Sequence, residues 1–255
     1  MESYVFLGAL LSFALIETFR PLRNPKLSTP GRWLNHGVLL ALNTALTTVL
    51  FRGGAIVFAI FIGAKGYGLL NRFAPPYAIR FAVGFVAADL LHYASHYVYH
   101  QIPLLWRIHR VHHTDPEFDV TTGFRFHPFE SLLTQALNFA MIALLGPPAL
   151  AILAAEVVTL FQDIFEHTNA EVPRGLDRIL RIVLITPNMH RVHHSVLAAD
   201  HNRNFGTIFP WWDRLFGTYA PHPSVELRKM ETGLAGYPAH QSASILHTLA
   251  TPFKP

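Results

Sequence analysis

His109-Arg110-Val111-His112-His113 recurs letter for letter as His190-Arg191-Val192-His193-His194, and His96-Tyr97-Val98-Tyr99-His100 stands just before the first copy. On an α-helix, positions i, i+3 and i+4 share one face, with Cβ atoms about 5–6 Å apart. Each five-residue copy therefore turns its three imidazoles one way and its Arg and Val elsewhere. The shorter motif sets two imidazoles at i and i+4. Imidazole is the commonest nitrogen ligand of zinc, iron, copper and nickel, so converging helices of this kind can hold more than one metal ion. Solvated or interfacial histidines would account for a single HxxH. They do not account for a chain of 16 histidines with seven between 92 and 127 and five between 167 and 201.

The rest of the 255 residues frames that cluster. Mean hydropathy is +0.29, half the residues are apolar, and 14% are charged against about 25% in ordinary globular chains. This composition points to a membrane protein. With no cysteine, disulfides, thiolate zinc sites and cysteine nucleophiles are excluded. The net charge of +4 is modest. Its basic residues flank apolar runs, as membrane-adjacent charges do, and form no nucleic-acid patch.

Residues 3–19 form an apolar run. It ends in Glu17 and Arg20, with no small-residue cleavage site, and reads as a retained helix. Arg20, Arg23, Lys26 and Arg32 follow without an intervening acid, which places this loop in the cytoplasm. Residues 34–62 are long enough to cross a bilayer once; Arg52-Gly53-Gly54 offers a break into two segments instead. Residues 77–100 read as a helix with His92, His96 and His100 in one stripe. Pro103 starts a short helix through the first HRVHH. Residues 131–162, broken at Gly146-Pro147-Pro148, read as a helical hairpin with legs of about 15 residues, short for a full crossing, that returns Glu166 and His167 to the histidine side. Thr186 caps, and Pro187 opens, the helix bearing the second HRVHH. A single crossing by 34–62 puts the histidines and the basic loop on one side. The expected fold is all-α: an integral, multi-pass membrane bundle with a cytoplasmic, histidine-rich di-metal cap. Its divisions are 1–76 (N-terminal helices and basic loop), 77–219 (catalytic domain) and 220–255 (C-terminal tail).

From about 89 to 219 the motifs resemble those of the fatty acid hydroxylase superfamily, or sterol desaturase family, of membrane di-iron enzymes. Asp89-x-x-His92 leading to His96-x-x-x-His100 is similar to its first box, and Trp106-x-x-His109-x-x-His112-His113 to its second. Arg125-x-His127-Pro128-x-Glu130 and Gln162-x-x-x-x-His167-Thr168-Asn169 resemble further elements. Pro187-x-x-His190-x-x-His193-His194 resembles the last box, and Asn204-Phe205-Gly206 with Trp212-Asp213-x-x-Phe216-Gly217-Thr218 the closing elements. Tyr97 stands where family members often have Arg, Phe205 where Tyr is more usual, and His92 where many have Tyr.

The resemblance implies nine metal ligands: His96, His100, His109, His112, His113, His167, His190, His193 and His194. Spacing alone selects all of these but the solitary His167. His92, on the ligand face one turn deeper, is a further ligand or a hydrogen-bond partner. His127 precedes proline and reads as a supporting or structural residue. Asp89 lies three residues before His92 and Asp163 four before His167, so both are placed to hold ligand rings, as carboxylates commonly do. Glu130 and Glu166 lie close to their boxes. His36, His201, His222, His240 and His247 have no partner at ligand spacing.

The resemblance implies two iron ions, O2 and electrons from a separate donor acting on a fatty acyl, sterol or related lipid drawn from the bilayer, by hydroxylation or desaturation. A second reading keeps the fold and replaces iron with zinc, since all-histidine ligation suits several metals. A third, a non-catalytic metal-binding or transport protein, predicts ionisable residues along the spans, which are nearly uncharged here.

Overall fold

The computed structural model describes residues 2–221 and 225–254, so His222 lies outside the described residues. Among these the chain is helical, with no strand beyond two isolated bridges, Pro21 to Ala170 and Ser195 to Thr232. Helices α1 (Glu2–Phe19), α2 (Thr29–Leu50), α3 (Gly54–Ala64) and the short α4 (Leu69–Phe73) lead to α5 (Tyr77–Gln101). Then come α6 (Pro103–His113), α7 (Pro128–Leu145), α8 (Ala149–Glu166), α9 (Arg174–Leu180) and α10 (Pro187–His193). Pro103, Pro128 and Pro187 each open a helix, where their missing N–H costs nothing. Thr186 caps α10, its hydroxyl accepting from Met189 N at 3.4 Å and donating to Asp177 at 2.6 Å.

Two stretches are long and apolar enough to cross a membrane, Thr29–Phe73 and Pro128–Leu145, and little of either is buried inside the protein. Leu7, Leu11 and Leu15 of α1, Leu34 and Val38 of α2, and Val57, Ile60 and Phe61 of α3 are exposed. Apolar outer faces on adjacent helices mark a surface for a membrane or another protein. Inside, Ala55, Ala59 and Ile62 of α3 pack on Ile142 and Ile152, so small residues let α3 lie close to α7 and α8.

The Gly53-Gly54 break is present. Gly53 takes a left-handed φ of 82° and starts α3 after α2 has ended at Leu50, yet the chain does not turn back. At the start of α2, Arg32 reaches Asp115 just after the first HRVHH. Beyond α3, Asn71 reaches Gly146 in the turn between α7 and α8. Residues 29–64 therefore run from the histidine end to the far end in one pass. The hairpin legs are longer than the 15 residues expected. Each has 18, about 27 Å at 1.5 Å per residue against about 30 Å of hydrocarbon, because the helices continue through 128–130 and 163–166 at the histidine end.

Arg32 is no free flanking charge. It is fully buried, donating to both oxygens of Asp115 at 2.8 and 2.6 Å and to Asp119 at 2.8 Å. His36, which has no partner at ligand spacing in the sequence, belongs to the same buried network through Thr121 Oγ1 at 2.7 Å. Arg125 continues it, donating to Val111 O at 3.0 Å, Thr114 Oγ1 at 2.8 Å and Ser242 O at 2.8 Å. The tail after 220 thus packs onto the loop that follows α6.

Candidate metal centre

Nine buried or half-buried histidines gather at the end of the bundle in two adjoining groups. His96, His100, His109, His113 and His193 form one; His112, His167, His190 and His194 form the other, and within each group the ligand atoms lie within 4.8 Å of one another. The two HRVHH copies exchange partners. His109 and His113, at i and i+4 of the first copy, are joined by His193 of the second. His190 and His194, at i and i+4 of the second, are joined by His112 of the first. His96 and His100 from α5 complete one group, and His167 at the end of α8 completes the other. The expectation that each copy points its three histidines one way thus needs refining: the three share a helix face but divide between two centres. The groups touch, with the rings of His113 and His194 stacked at 4.5 Å.

The other residues of each copy anchor it from behind. Val111 and Val192 are buried. Arg110 donates to Thr251 O and Lys254 O, both at 2.7 Å. Arg191 donates to Asn169 at 3.0 Å and lies 4.3 Å over the Phe118 ring.

In the five-ring group the tautomers are set by hydrogen bonds. His96 Nδ1 donates to Phe205 O at 2.9 Å, His193 Nδ1 to Arg203 O at 2.9 Å, His109 Nδ1 to Glu130 at 2.7 Å and His100 Nδ1 to Asn202 at 3.3 Å. With the proton on Nδ1, each Nε2 is left as a lone pair, and the Nε2 atoms of all five rings are buried without a partner. Converging bare lone pairs are unfavourable unless a cation sits among them. In the four-ring group, His167 Nδ1 donates to Asp163 O at 2.7 Å. The Nε2 atoms face one another at 3.3 Å (His167–His112), 3.0 Å (His190–His167) and 3.1 Å (His194–His190). Ligands about 2.0–2.1 Å from a common ion at bond angles of about 90–109° stand about 2.8–3.4 Å apart. His190 Nε2 meets two ring nitrogens at once, which a single N–H cannot serve. Both donor sets fit a bound metal ion.

Burial comes first, and neighbouring imidazoles second, in pushing His112, His113, His190, His193 and His194 well below the usual imidazole range. Burial likewise takes His167 down to about 4. These rings are neutral at pH 7, the form that binds metal.

The supporting residues differ in part from the sequence expectation. Glu130 holds His109. Asp163 acts on His167 through its backbone carbonyl, because residue i−4 of a helix presents its C=O, rather than its side chain, to the end of the next turn. Asp89 does not meet His92: it accepts from Ile208 N at 3.1 Å and Trp212 Nε1 at 2.8 Å. His127 stands apart from the groups. Its Nδ1 accepts from Phe129 N at 3.2 Å, capping α7. His92 belongs to neither group, and its Nδ1 is buried without a partner. Glu166 faces the four-ring group, one oxygen 3.8 Å from His190 Nε2. His201 stacks on Trp106, and His240 and His247 are exposed.

Residues 202–205 supply three of the acceptors that orient ligand rings, a role the spacing does not reveal. The motifs around them explain the geometry. Asn204 holds a left-handed φ of 55° and bonds Met189 O and Ala220 O at 3.1 and 3.2 Å. Asp213 accepts from Phe205 N at 2.8 Å, Gly206 N at 2.9 Å and Thr218 Oγ1 at 2.7 Å. Gly123 was also missed. A Cβ there would stand 2.9 Å from Asp163 O and 3.2 Å from His167 Nδ1, the two atoms of a ring-orienting hydrogen bond.

Residues 81–218 match the family model for fatty acid hydroxylase. The chain is 33% identical over 180 residues to ornithine lipid hydroxylase of Rhizobium tropici, covering 70% of this chain and 51% of that protein. It is 31% identical over 139 residues to alkylglycerol monooxygenase of Danio rerio (54% of this chain, 30% of that protein), and 28% over 135 residues to that of Homo sapiens (53% and 29%). The chain thus spans about half the length of the first relative and under a third of the other two. No solved structure matches.

Proposed function

Since the chain belongs to the fatty acid hydroxylase family, we propose that it is a membrane-bound lipid hydroxylase holding two iron ions. One ion is bound by His96, His100, His109, His113 and His193, the other by His112, His167, His190 and His194. The observation that carries this reading is the convergence of nine imidazoles in two groups at the end of a helical bundle with an apolar exterior. A pair of iron ions supplies O2 activation, which attack on an unreactive C–H bond requires and no side chain provides. The net reaction is R–H + O2 + 2 e⁻ + 2 H⁺ → R–OH + H2O, with the electrons coming from a separate donor.

The chain's own residues hold the rings, exclude water and admit substrate. Backbone carbonyls of 163, 203 and 205 and the side chains of Glu130 and Asn202 keep the Nδ1 protons in place, so Nε2 stays free. The bundle is multi-pass, and the histidine end faces the cytoplasm. The single pass of 29–64 supports this arrangement, since it puts Arg20, Arg23 and Lys26 at that end. The named relatives support a polar lipid as substrate, of the ornithine-lipid or alkylglycerol kind.

Metal analysis of protein purified in detergent, followed by lipid profiling of cells with and without the gene, tests the reading. Two iron ions per chain and a lipid that gains one oxygen are expected. A folded preparation that holds at most one ion after reconstitution refutes the di-iron assignment.

A further inference from the structure

The balanced reaction above draws two electrons from a separate donor, so they must reach the buried ions from outside the chain. The four-ring group is buried throughout, whereas His96 and His100 of the five-ring group are half-buried. A pair of stacked aromatic rings covers that group. His201 lies on Trp106 at 5.4 Å and 15°, and both are half-buried. Beneath the stack, the Trp106 indole meets three ligand rings, with centroids 4.8 Å from His100, 5.3 Å from His113 and 6.2 Å from His109. One indole thus bridges the surface and the five-ring group. His113 in turn stacks on His194 at 4.5 Å, which continues the ring contacts to the four-ring group. Electron tunnelling falls off exponentially with distance, so the thinnest cover over an ion is where a donor delivers its electrons.

The surface around the stack suits a transient partner. Ile102 stands one helical turn before Trp106, and Leu197 one turn before His201, joined by the Trp106 N to Ile102 O and His201 N to Leu197 O bonds. Ile102 is 45% exposed, Leu197 41% and Leu104 69%. This apolar centre has a basic border. Arg107 follows Trp106, and Arg203 is exposed two residues after His201. Residues 97–113 and 197–203 contain one acid, Asp200, and it is buried. An apolar centre with a charged rim is the anatomy of a protein interface, and a rim of one sign steers a partner of the other. Electron-transfer encounters bury little surface, so a patch this small suffices.

Resting on the di-iron reading, we propose that an acidic one-electron carrier protein docks over Trp106 and His201, and that its electrons pass through the Trp106 ring to the ion held by His96, His100, His109, His113 and His193. In each transfer the carrier is oxidised by one electron and one ferric ion becomes ferrous. Two transfers supply the two electrons of the reaction, and the two protons come from solvent.

The test uses the full chain in lipid nanodiscs, with a plant-type ferredoxin, a small acidic one-electron carrier, as the probe. Binding is read first, on metal-free protein, so that it depends on neither turnover nor iron. Leu197→Glu and Leu104→Glu each set a negative charge on the face and should weaken ferredoxin binding about tenfold. Lys65→Glu, a larger change of charge at the exposed end of α3, should leave binding as it is. No binding to the wild type, the result if lipid covers the face, overturns the proposal, as does equal weakening by all three variants or by none. Stopped-flow reduction of iron-loaded protein then reads the relay. Trp106→Leu should lose the fast phase of reduction by ferredoxin with iron content and ferredoxin affinity kept, and Trp106→Phe, which retains a ring, should keep part of it. An unchanged fast phase in Trp106→Leu, or loss of iron from that variant, overturns the relay and leaves the hydroxylase reading standing. Iron that neither ferredoxin nor methyl viologen radical reduces overturns both.

Discussion

Glu130→Ala removes the acceptor of the His109 Nδ1–H bond, which is 2.7 Å long and lies in a site where Glu130 is 5% exposed. Without it, the imidazole is free to carry its proton on Nε2, the atom that should bind metal, and to rotate. Loss of such an outer partner typically costs about 10–100-fold in metal affinity, about 1.4–2.7 kcal/mol. The structure makes the loss selective. His109 belongs to the five-ring group, so that ion should weaken while the ion among His112, His167, His190 and His194 stays. Glu130→Gln, whose side-chain carbonyl still accepts, should lose less than about tenfold. Chelator competition on purified protein, fitted as two sites, reads both affinities, and melting of the metal-free protein controls for folding. Wild-type affinity at both sites in the alanine variant, or an equal loss at both, would refute the reasoning.

The partner exchange predicts that His112→Ala resembles His194→Ala and lowers occupancy of one ion, whereas His193→Ala, next door in sequence, resembles His109→Ala. Matched phenotypes within each HRVHH copy would contradict it, as read by metal stoichiometry. Arg32→Ala leaves Asp115 buried and unpaired, which should destabilise the fold by about 3–5 kcal/mol; an unchanged melting temperature argues against the network. Gly123→Ala should displace the Asp163–His167 bond and loosen the four-ring ion with little effect on the five-ring one, again measured by two-site titration. Metal-free protein should lose stability as pH falls from about 6.5, the ordinary imidazole value, towards 4. His167, held down to about 4 by burial, stays neutral in the folded state while the unfolded chain takes up the proton. Flat melting temperatures between pH 7 and 5 would count against a buried, neutral ring.

Spacing along a helix is a local property, so eight of the nine clustered histidines can be read from HxxHH and HxxxH alone, and the proline-opened helices that carry them from Pro103 and Pro187. The apolar runs over 34–62 and 131–162 are legible for the same reason, since composition belongs to contiguous sequence, whereas the helices' true ends at 29 and 128 are not. His167 is a single letter, and only its resemblance to a known box marked it. Helical spacing makes Asp89 a candidate partner of His92, but it turns to Trp212 and Ile208, because a side chain at i−3 follows whichever donor the tertiary fold brings nearest. Asp163 held its ring by a carbonyl, which every residue carries and no letter reports.

Local pattern therefore yields the inventory: an all-helical chain, an apolar exterior, and imidazoles on shared helix faces. How the imidazoles are divided is settled by packing between elements. Two identical HRVHH helices meet so that each lends its middle histidine to the other's pair. That exchange depends on where α6 and α10 lie relative to each other, with Arg32 of α2 held to Asp115 just after α6 and Asn204 held to Met189 of α10. Helical periodicity fixes direction within an element and says nothing of the distance or angle between elements, so the two centres exist only once the bundle has closed.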